Sequence, residues 1–212
     1  MLNGTNLVFI IAAPSGAGKT SLVKALHVQD PLLALSVSHT TRAPRPGEEQ
    51  GVHYHYTNQQ NFKEMVEQAK FLEHAEVFGN YYGTAEESVR AQLEQGLEVI
   101  LEIDWQGACQ VRRAWPTAIS IFVLPPSVKA LEQRLTDRKQ DSAEIIRKRM
   151  LAAQSEIAHY AEFDYLVVND DFNQALAELA SIVVASRMRF SVQSVRQERL
   201  ITDLLASPPT LT

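Results

Sequence analysis

A short glycine-containing segment, APSGAGKT, constrains the fold of this chain more than any other feature. It runs from Ala13 to Thr20, after the apolar run Leu7–Ala13 and before a segment with helical spacing. It matches the Walker A pattern, G-x-x-x-x-G-K-[ST], except that Ala13, which is also small, replaces the first glycine. A glycine-rich turn that binds nothing would explain Gly16 and Gly18, but not a lysine followed by a hydroxyl residue. The segment therefore predicts a phosphate-binding loop, here called the P-loop.

The side chains and backbone of the P-loop indicate how it would bind a nucleotide. Its glycines let backbone N–H groups converge on phosphate oxygens, and the helix that follows adds its dipole. We expect Lys19 to reach the β- and γ-phosphates of ATP, and the Thr20 hydroxyl to coordinate Mg²⁺ as the cofactor. The predicted ATP-binding residues of the loop are Ala13, Pro14, Ser15, Gly16, Ala17, Gly18, Lys19 and Thr20.

Nearly all-apolar runs alternate with helical patterns along most of the chain. The runs are Leu7–Ala13, Val99–Ile103, Ile119–Leu124 and Tyr165–Val168. Runs of this kind are typical of parallel strands that helices cover on both faces. The helical patterns are Thr20–Leu26, Glu86–Gln95, Val128–Arg138, Glu144–Tyr160 and Asn173–Met188. The alternation predicts an α/β fold of the P-loop NTPase type, with three layers and a central parallel sheet.

Two segments interrupt this alternation. Ser36 to Asn80 is polar and β-like around one short helix, and we interpret it as an inserted subdomain at the edge of the main sheet. Thr136 to Arg149 is highly charged and has no apolar run, as expected of a mobile lid. Thr84 and Glu87 have the spacing of a capping box for the helix after the insert. We predict one domain over residues 1–206, with a core of 1–35, 85–130 and 155–206, an insert of 36–84 and a lid of 131–154.

Composition excludes several functional classes. The chain has 212 residues, of which 45% are hydrophobic, enough for a substantial core. A net charge of −5 argues against a nucleic-acid partner, so a bound nucleotide needs a local positive pocket. The single cysteine, Cys109, suits a reducing compartment. The apolar runs are too short to span a bilayer and no basic leader precedes the first, so we expect a cytoplasmic protein without a membrane partner.

A carboxylate follows the second apolar run, in the string VILEIDWQG. Asp104 ends the run, and this Walker B arrangement would place it near the metal bound to the phosphates. The alternative is an aspartate that only caps the next helix. Glu102 lies two residues earlier on the same strand face, and the sequence does not decide between a functional and a structural role for it. We predict Thr20 and Asp104 as the metal-binding residues.

The inserted segment carries two long motifs. It reads SVSHTTRAPRPGEEQGVHYHY and later FLEHAEVFGNYYGT. The string T-T-R-x-P-R-x-G-E followed by G-N-Y-Y-G-T is very specific, and with the P-loop and LEIDWQG it closely resembles the guanylate kinase family, to about Leu205. The resemblance implies transfer of the γ-phosphoryl group of ATP to GMP, and also to dGMP, with ADP and GDP as products. It leaves open whether the protein is a monomer or a homo-oligomer.

The resemblance also implies the residues of the acceptor site. The phosphate of GMP would be held by Arg42, Arg45, Tyr54 and Tyr82, whose guanidinium and phenol groups suit a monophosphate dianion. The guanine would be read by Ser38, Glu73 and Thr84, with Asp104 on the guanine and ribose side. Guanine offers two adjacent N–H donors and one carbonyl, whereas adenine would place a lone pair against Glu73. The acidic pair Glu48–Glu49 is interpreted as a solvated turn.

Arginines flank the charged interruption. The resemblance assigns Arg138 and Arg149 to catalysis together with Lys19, since a closing arm can neutralise the transferring phosphoryl group. Arg134 and Asn169 are expected to bind ATP. The family usually has glycine after the first lid arginine, where this chain has Lys139.

Two other functions remain as alternatives at this point. A guanylate-kinase-like binding module without catalysis typically lacks the P-loop lysine and the lid arginines, and this chain has them. A kinase for another mononucleotide is the second alternative, and Glu73 and Ser38 argue against it.

Overall fold

The computed structural model describes residues 6–137 and 143–206. Its strands are β1 (Val8–Ala12), β2 (Leu33–Leu35), β3 (His39–Thr40), β4 (His55–Tyr56), β5 (Phe71–Val77), β6 (Asn80–Ala85), β7 (Glu98–Glu102), β8 (Ile119–Leu124) and β9 (Tyr165–Val168). Its helices are α1 (Lys19–Gln29), α2 (Gln59–Glu67), α3 (Glu86–Glu94), α4 (Trp105–Ala114), α5 (Val128–Asp137), α6 (Ala143–Ile157), α7 (Phe172–Arg187), α8 (Phe190–Arg196) and α9 (Glu198–Ala206).

The main sheet is parallel, and within the described residues it has five strands in the order β2-β7-β1-β8-β9. Side chains alternate between the two faces of a strand. Phe9 and Ile11 of β1 therefore pack with α1 and α7, whereas Val8 and Ile10 pack with α3 and α4 on the other face. The predicted α/β fold with a central parallel sheet is confirmed.

The four apolar runs form four adjacent strands of this sheet. The fifth strand, β2, is only three residues long and pairs with β7 at the edge of the sheet. Because it is so short, it has no periodic signal of its own, and it was not predicted.

The insert contains a second sheet, which the described residues form with the strand order β4-β3-β6-β5. Strands β5 and β6 make a hairpin whose two turn residues, Phe78 and Gly79, both have positive φ, at 50° and 75°. The tight turn fixes the register and places Glu73 opposite Thr84. Phe62 of α2 is buried and stacks on Phe71 of β5, with ring centroids 4.6 Å apart.

The predicted capping box at the start of α3 is wrong. The residue that precedes α3 is Ala85, and no side chain caps the helix. Thr84 belongs to β6, and its hydroxyl is directed into the interior of the insert instead. By contrast, α4 begins with a side-chain cap, because Asp104 accepts a hydrogen bond of 2.8 Å from the backbone N–H of Gly107.

Candidate active site

The P-loop joins β1 to α1, so it lies at the carboxyl end of the central strand. Gly16 and Gly18 have φ of 96° and 91°, in the left-handed region that glycine adopts most readily. Gly18 is also needed for space, because a Cβ atom there would lie 2.4 Å from Asn169 Nδ2. The two glycines thus shape the turn from which α1 begins, as a phosphate cradle requires.

Asn169 contacts the backbone of the P-loop, and Arg134 contacts Asn169. Asn169 is 5% exposed, and its Nδ2 donates a hydrogen bond of 2.7 Å to the carbonyl of Ala17. Arg134 Nη2 donates to the Asn169 carbonyl at 2.9 Å. Both side chains therefore brace the loop. Their predicted contact with ATP remains a prediction.

The acidic residue next to Thr20 is Glu102. Lys19 Nζ donates a hydrogen bond of 2.7 Å to the carbonyl of Ile103, at the end of β7. The hydroxyl of Thr20 donates to Oε1 of Glu102. Asp104 lines the cavity in front of the P-loop, and its Oδ1 caps α4. The structure thus brings Glu102, whose role the sequence left undecided, to the side of the loop where a metal would bind.

The predicted phosphate clamp lines a cavity of about 510 Å³ together with Thr20 and Glu102. The clamp residues on this cavity are Arg42, Arg45, Tyr54 and Tyr82. Arg42 lies over the ring of Tyr54, 5.4 Å from its centroid, and the rings of Tyr54 and Tyr82 meet edge to face. Burial raises the pKa of Tyr54 to about 12, and the negative charge of Glu102 adds to the shift. The Tyr54 hydroxyl therefore remains a hydrogen-bond donor at neutral pH.

Glu48 organises the clamp, and its interpretation as part of a solvated turn is wrong. Its carboxylate accepts hydrogen bonds from Arg42 Nη2 at 2.9 Å, the Arg45 backbone N–H at 2.7 Å and the Tyr56 hydroxyl at 2.8 Å. Burial opposes ionisation, but these bonds outweigh it and lower the pKa of Glu48 to about 2. The turn at Gly47, with φ of 84°, folds Glu48 back onto Arg45. The Pro46-Gly47 pair is a sequence signal for the turn, but not for the contacts of Glu48.

The three residues predicted to read the base are connected to one another. Glu73 is 3% exposed, and its Oε1 accepts a hydrogen bond of 2.6 Å from Thr84 Oγ1. The Ser38 hydroxyl lies 3.1 Å from the same Thr84 oxygen. Burial raises the pKa of Glu73 to about 7 and the charge of Asp104 adds to this, while the Thr84 hydrogen bond and Lys19 act in the opposite direction. The insert thus places a desolvated carboxylate and two hydroxyl groups in one row.

The region predicted as a lid is described only in part. Arg138 and Lys139 lie outside the described residues. Arg149 lies on α6, which also carries Glu156, a residue that sequence reasoning missed. Glu156 Oε2 accepts a hydrogen bond of 3.2 Å from the backbone N–H of Ser15, so α6 contacts the P-loop directly. Arg149 precedes Glu156 by seven residues, which corresponds to two turns, so the two side chains share a helix face.

Comparison with known proteins agrees with this geometry. The sequence model of the family "Guanylate kinase" matches residues 5–186. The chain belongs to the guanylate kinase family. A guanylate kinase of Psychrobacter arcticus is 56% identical over 203 residues, which cover 96% of this chain and 98% of that protein. A guanylate kinase of Escherichia coli K12 is 55% identical over 97% of this chain and 100% of its own length.

A solved structure of the same family has the same fold. The crystal structure of guanylate kinase from Anaplasma phagocytophilum superposes with a TM-score of 0.76 at 28% identity, covering 94% of this chain and 98% of that chain. The membership in the guanylate kinase family that the insert motifs predicted is therefore confirmed. Within residues 6–137 and 143–206, no helix is long and apolar enough to cross a membrane.

Proposed function

We propose that the protein is a guanylate kinase that transfers the γ-phosphoryl group of ATP to GMP or dGMP, with the acceptor held between the insert and the P-loop. The observation that carries the proposal is the Glu73 carboxylate, which is 3% exposed and reached by the Thr84 hydroxyl. A desolvated carboxylate is unfavourable unless a ligand supplies donors, and guanine supplies two adjacent N–H groups. Recognition by Glu73 and Thr84 would depend on the base and not on the 2′-hydroxyl of the ribose, so dGMP is expected to serve as well.

The acceptor phosphate would lie in the clamp cavity, which borders the P-loop at Thr20. Arg42, Arg45, Tyr54 and Tyr82 would hold it, as the sequence predicts. Tyr54 and Tyr82 also line the cavity that the P-loop residues line, so the two proposed phosphate sites would adjoin each other there. Adjoining sites let the protein bring the acceptor oxygen up to the γ-phosphate, and positioning of this kind accounts for much of phosphoryl-transfer catalysis.

Three cationic residues would neutralise the negative charge of the transferring phosphoryl group. Lys19, in the P-loop, is the first residue of α1, and Arg149 lies on the helix that contacts Ser15. Arg138, the third predicted catalytic residue, would act from the lid. We assign ATP binding to Ala13–Thr20 with Arg134 and Asn169, as the sequence predicts. Asp104 would lie between the P-loop and the residues proposed to read the base, which are Ser38, Glu73 and Thr84.

The oxygen donors beside the P-loop suit Mg²⁺, which prefers hydroxyl, carboxylate and water ligands. Thr20 and Glu102 would hold the ion, with Asp104 close by in the neighbouring cavity. When bound, Mg²⁺ would neutralise charge on the β- and γ-phosphates. We further propose a cytoplasmic location, a monomer or homo-oligomer, and no nucleic-acid partner.

A coupled assay of ADP release tests this function. Purified protein would be given ATP and Mg²⁺ with GMP, dGMP, AMP, CMP or UMP in turn. We expect turnover with GMP and dGMP, at least about 100-fold lower kcat/KM with AMP because it cannot donate to Glu73, and no turnover after chelation of Mg²⁺. Equal turnover of GMP and AMP would contradict the proposed base site, and absence of turnover with every acceptor would indicate a binding module.

A further inference from the structure

Gly107 lies in the first turn of α4, next to the carboxylate of Glu73. A Cβ atom built on Gly107 would lie 2.4 Å from Glu73 Oε2 and 3.1 Å from Glu73 Cδ. It would also lie 3.4 Å from Asp104 Oδ1. Carbon–oxygen contacts of 2.4 Å are not tolerated, so any side chain at Gly107 must displace the Glu73 carboxylate.

The backbone of α4 does not itself require glycine at this position. Gly107 lies inside the helix, where alanine would adopt the same conformation. Its N–H caps the helix by donating to Asp104 Oδ1, and alanine would keep that bond. Glycine inside a helix is less favourable than alanine, because it loses more conformational freedom on folding. The space that the Glu73 carboxylate needs explains why α4 has glycine at this position.

Glu73 has little freedom to move away from an added methyl group. Its Oε1 is fixed by the 2.6 Å hydrogen bond from Thr84, whose position is set by pairing of β5 with β6. The side chain is almost fully buried, so neighbouring atoms surround it. If Oε2 moved by about 1 Å, its distance to a guanine N–H would lie outside the range of a hydrogen bond.

We propose that Gly107 is a positioning residue that determines specificity for guanine: its missing side chain sets the position of Glu73 Oε2. The proposal rests on the proposed function, in which Glu73 accepts hydrogen bonds from the base. It predicts that the space at Gly107 contributes to selection of the acceptor base. It also predicts no contribution to ATP binding, because the residues assigned to ATP include neither Gly107 nor Glu73.

The test compares Gly107→Ala with wild type for GMP, AMP and ATP. We expect kcat/KM for GMP to fall roughly 10- to 100-fold, mainly through KM, because a binding contact is distorted. The KM for ATP should change less than about 3-fold, since ATP binding does not involve Glu73, and the kcat/KM for AMP should not fall, since adenine gains no hydrogen bond from Glu73. Cys109→Ala, which places an alanine two positions further along α4, is the matched control and should behave as wild type.

A double variant separates the close contact from a general weakening of α4. Aspartate is one methylene shorter than glutamate, so Glu73→Asp withdraws the carboxylate from Gly107. In the Glu73→Asp background, Gly107→Ala should therefore cost less than about 3-fold in kcat/KM for GMP. If Gly107→Ala alone does not fold, the double variant should fold, because the overlap is relieved. Failure of the double variant as well, or an equal cost of Gly107→Ala in both backgrounds, would overturn the proposal.

Glu73→Gln distinguishes this proposal from the proposed function. If Glu73→Gln keeps wild-type GMP kinetics, guanine recognition by Glu73 is wrong, and the role of Gly107 is wrong with it. If Glu73→Gln loses GMP activity while Gly107→Ala keeps it, the proposed function stands and the inference about Gly107 is overturned.

Discussion

Thr84 donates a hydrogen bond of 2.6 Å to the buried carboxylate of Glu73 across the β5–β6 hairpin. Burial raises the pKa of Glu73 to about 7, and the nearby charge of Asp104 adds to the shift. An acidic group in this environment holds a proton for much of the time at neutral pH when no ligand is bound. In the proposed base site Glu73 accepts hydrogen bonds from guanine in its ionised form, so we expect binding of GMP and loss of this proton to be coupled.

The first prediction is that GMP binding weakens in acid because of Glu73. Below pH 7 the proton on Glu73 must be removed before the carboxylate can accept two N–H groups. Between pH 8 and pH 5.5 we expect the Kd for GMP to rise by about 10- to 30-fold from this group alone. Calorimetry across this range would measure it. The phosphate of GMP also titrates, so the same titration of Glu73→Gln provides the correction; identical pH profiles for the two proteins would contradict the prediction.

The second prediction concerns Glu48 and the phosphate clamp. Glu48→Gln removes a negative charge near the acceptor phosphate, but it also weakens the bonds that orient Arg42 and the Arg45 backbone. Charge-assisted hydrogen bonds of this kind contribute about 1.5–3 kcal/mol each, which exceeds the gain from one screened charge. We expect KM for GMP to rise about 10-fold with kcat nearly unchanged.

Steady-state kinetics with GMP varied and ATP saturating would measure this effect. Glu49→Gln is the matched control, because Glu49 is the adjacent glutamate and is exposed. Tighter GMP binding in Glu48→Gln would show that charge repulsion outweighs the orientation of Arg42, and our account of Glu48 would then fail.

The third prediction concerns Lys19. Lys19→Met keeps much of the side-chain volume but removes the ammonium group that lies beside the end of β7. Loss of one group that stabilises developing charge typically lowers kcat about 100-fold or more. Rapid-quench or coupled assays would give kcat, and the melting temperature would show that the fold persists. Lys63→Met, an exposed lysine on α2, should have wild-type kinetics; near wild-type kcat in Lys19→Met would refute the P-loop assignment.

The sequence predicted those parts of the structure that are encoded by patterns of neighbouring residues. Four apolar runs indicate the four longer parallel strands, and the P-loop fixes the strand that precedes it and the helix that follows it. The residues that were missed or left undecided act through contacts between distant segments. Glu156 reaches Ser15 across 141 positions, and Glu102 meets Thr20 across 82. No local pattern encodes contacts of that kind.

Thr84 illustrates why a correct local rule can give a wrong result. Its spacing to Glu87 satisfies the capping box, but pairing of β6 with β5 places its hydroxyl at Glu73. A hydrogen bond to a buried carboxylate outweighs a surface cap, because an unsatisfied buried charge costs more than an uncapped helix end. The resemblance to a known family, unlike the capping rule, grouped Thr84 with Glu73, and the two side chains are in contact.

The last prediction is that removal of the Glu73 charge stabilises the unliganded protein at alkaline pH. The pKa of Glu73 is about 7 in the folded protein and 4.5 in the absence of the fold. A raised folded pKa means that the protonated carboxyl favours folding; its contribution is complete below pH 4.5 and is lost as the pH rises through 7. Glutamine resembles the protonated form and does not ionise. Glu73→Gln should therefore match wild type near pH 4.5 and exceed it above pH 8, by about 3 kcal/mol in the free energy of unfolding.

Urea unfolding at pH 5 and pH 8.5 would measure the difference, with Glu87→Gln, an exposed glutamate of α3, as the control that gains nothing. An equal difference at both pH values would mean that Glu73 is not strained by burial, and the carboxylate would then need no ligand to compensate it.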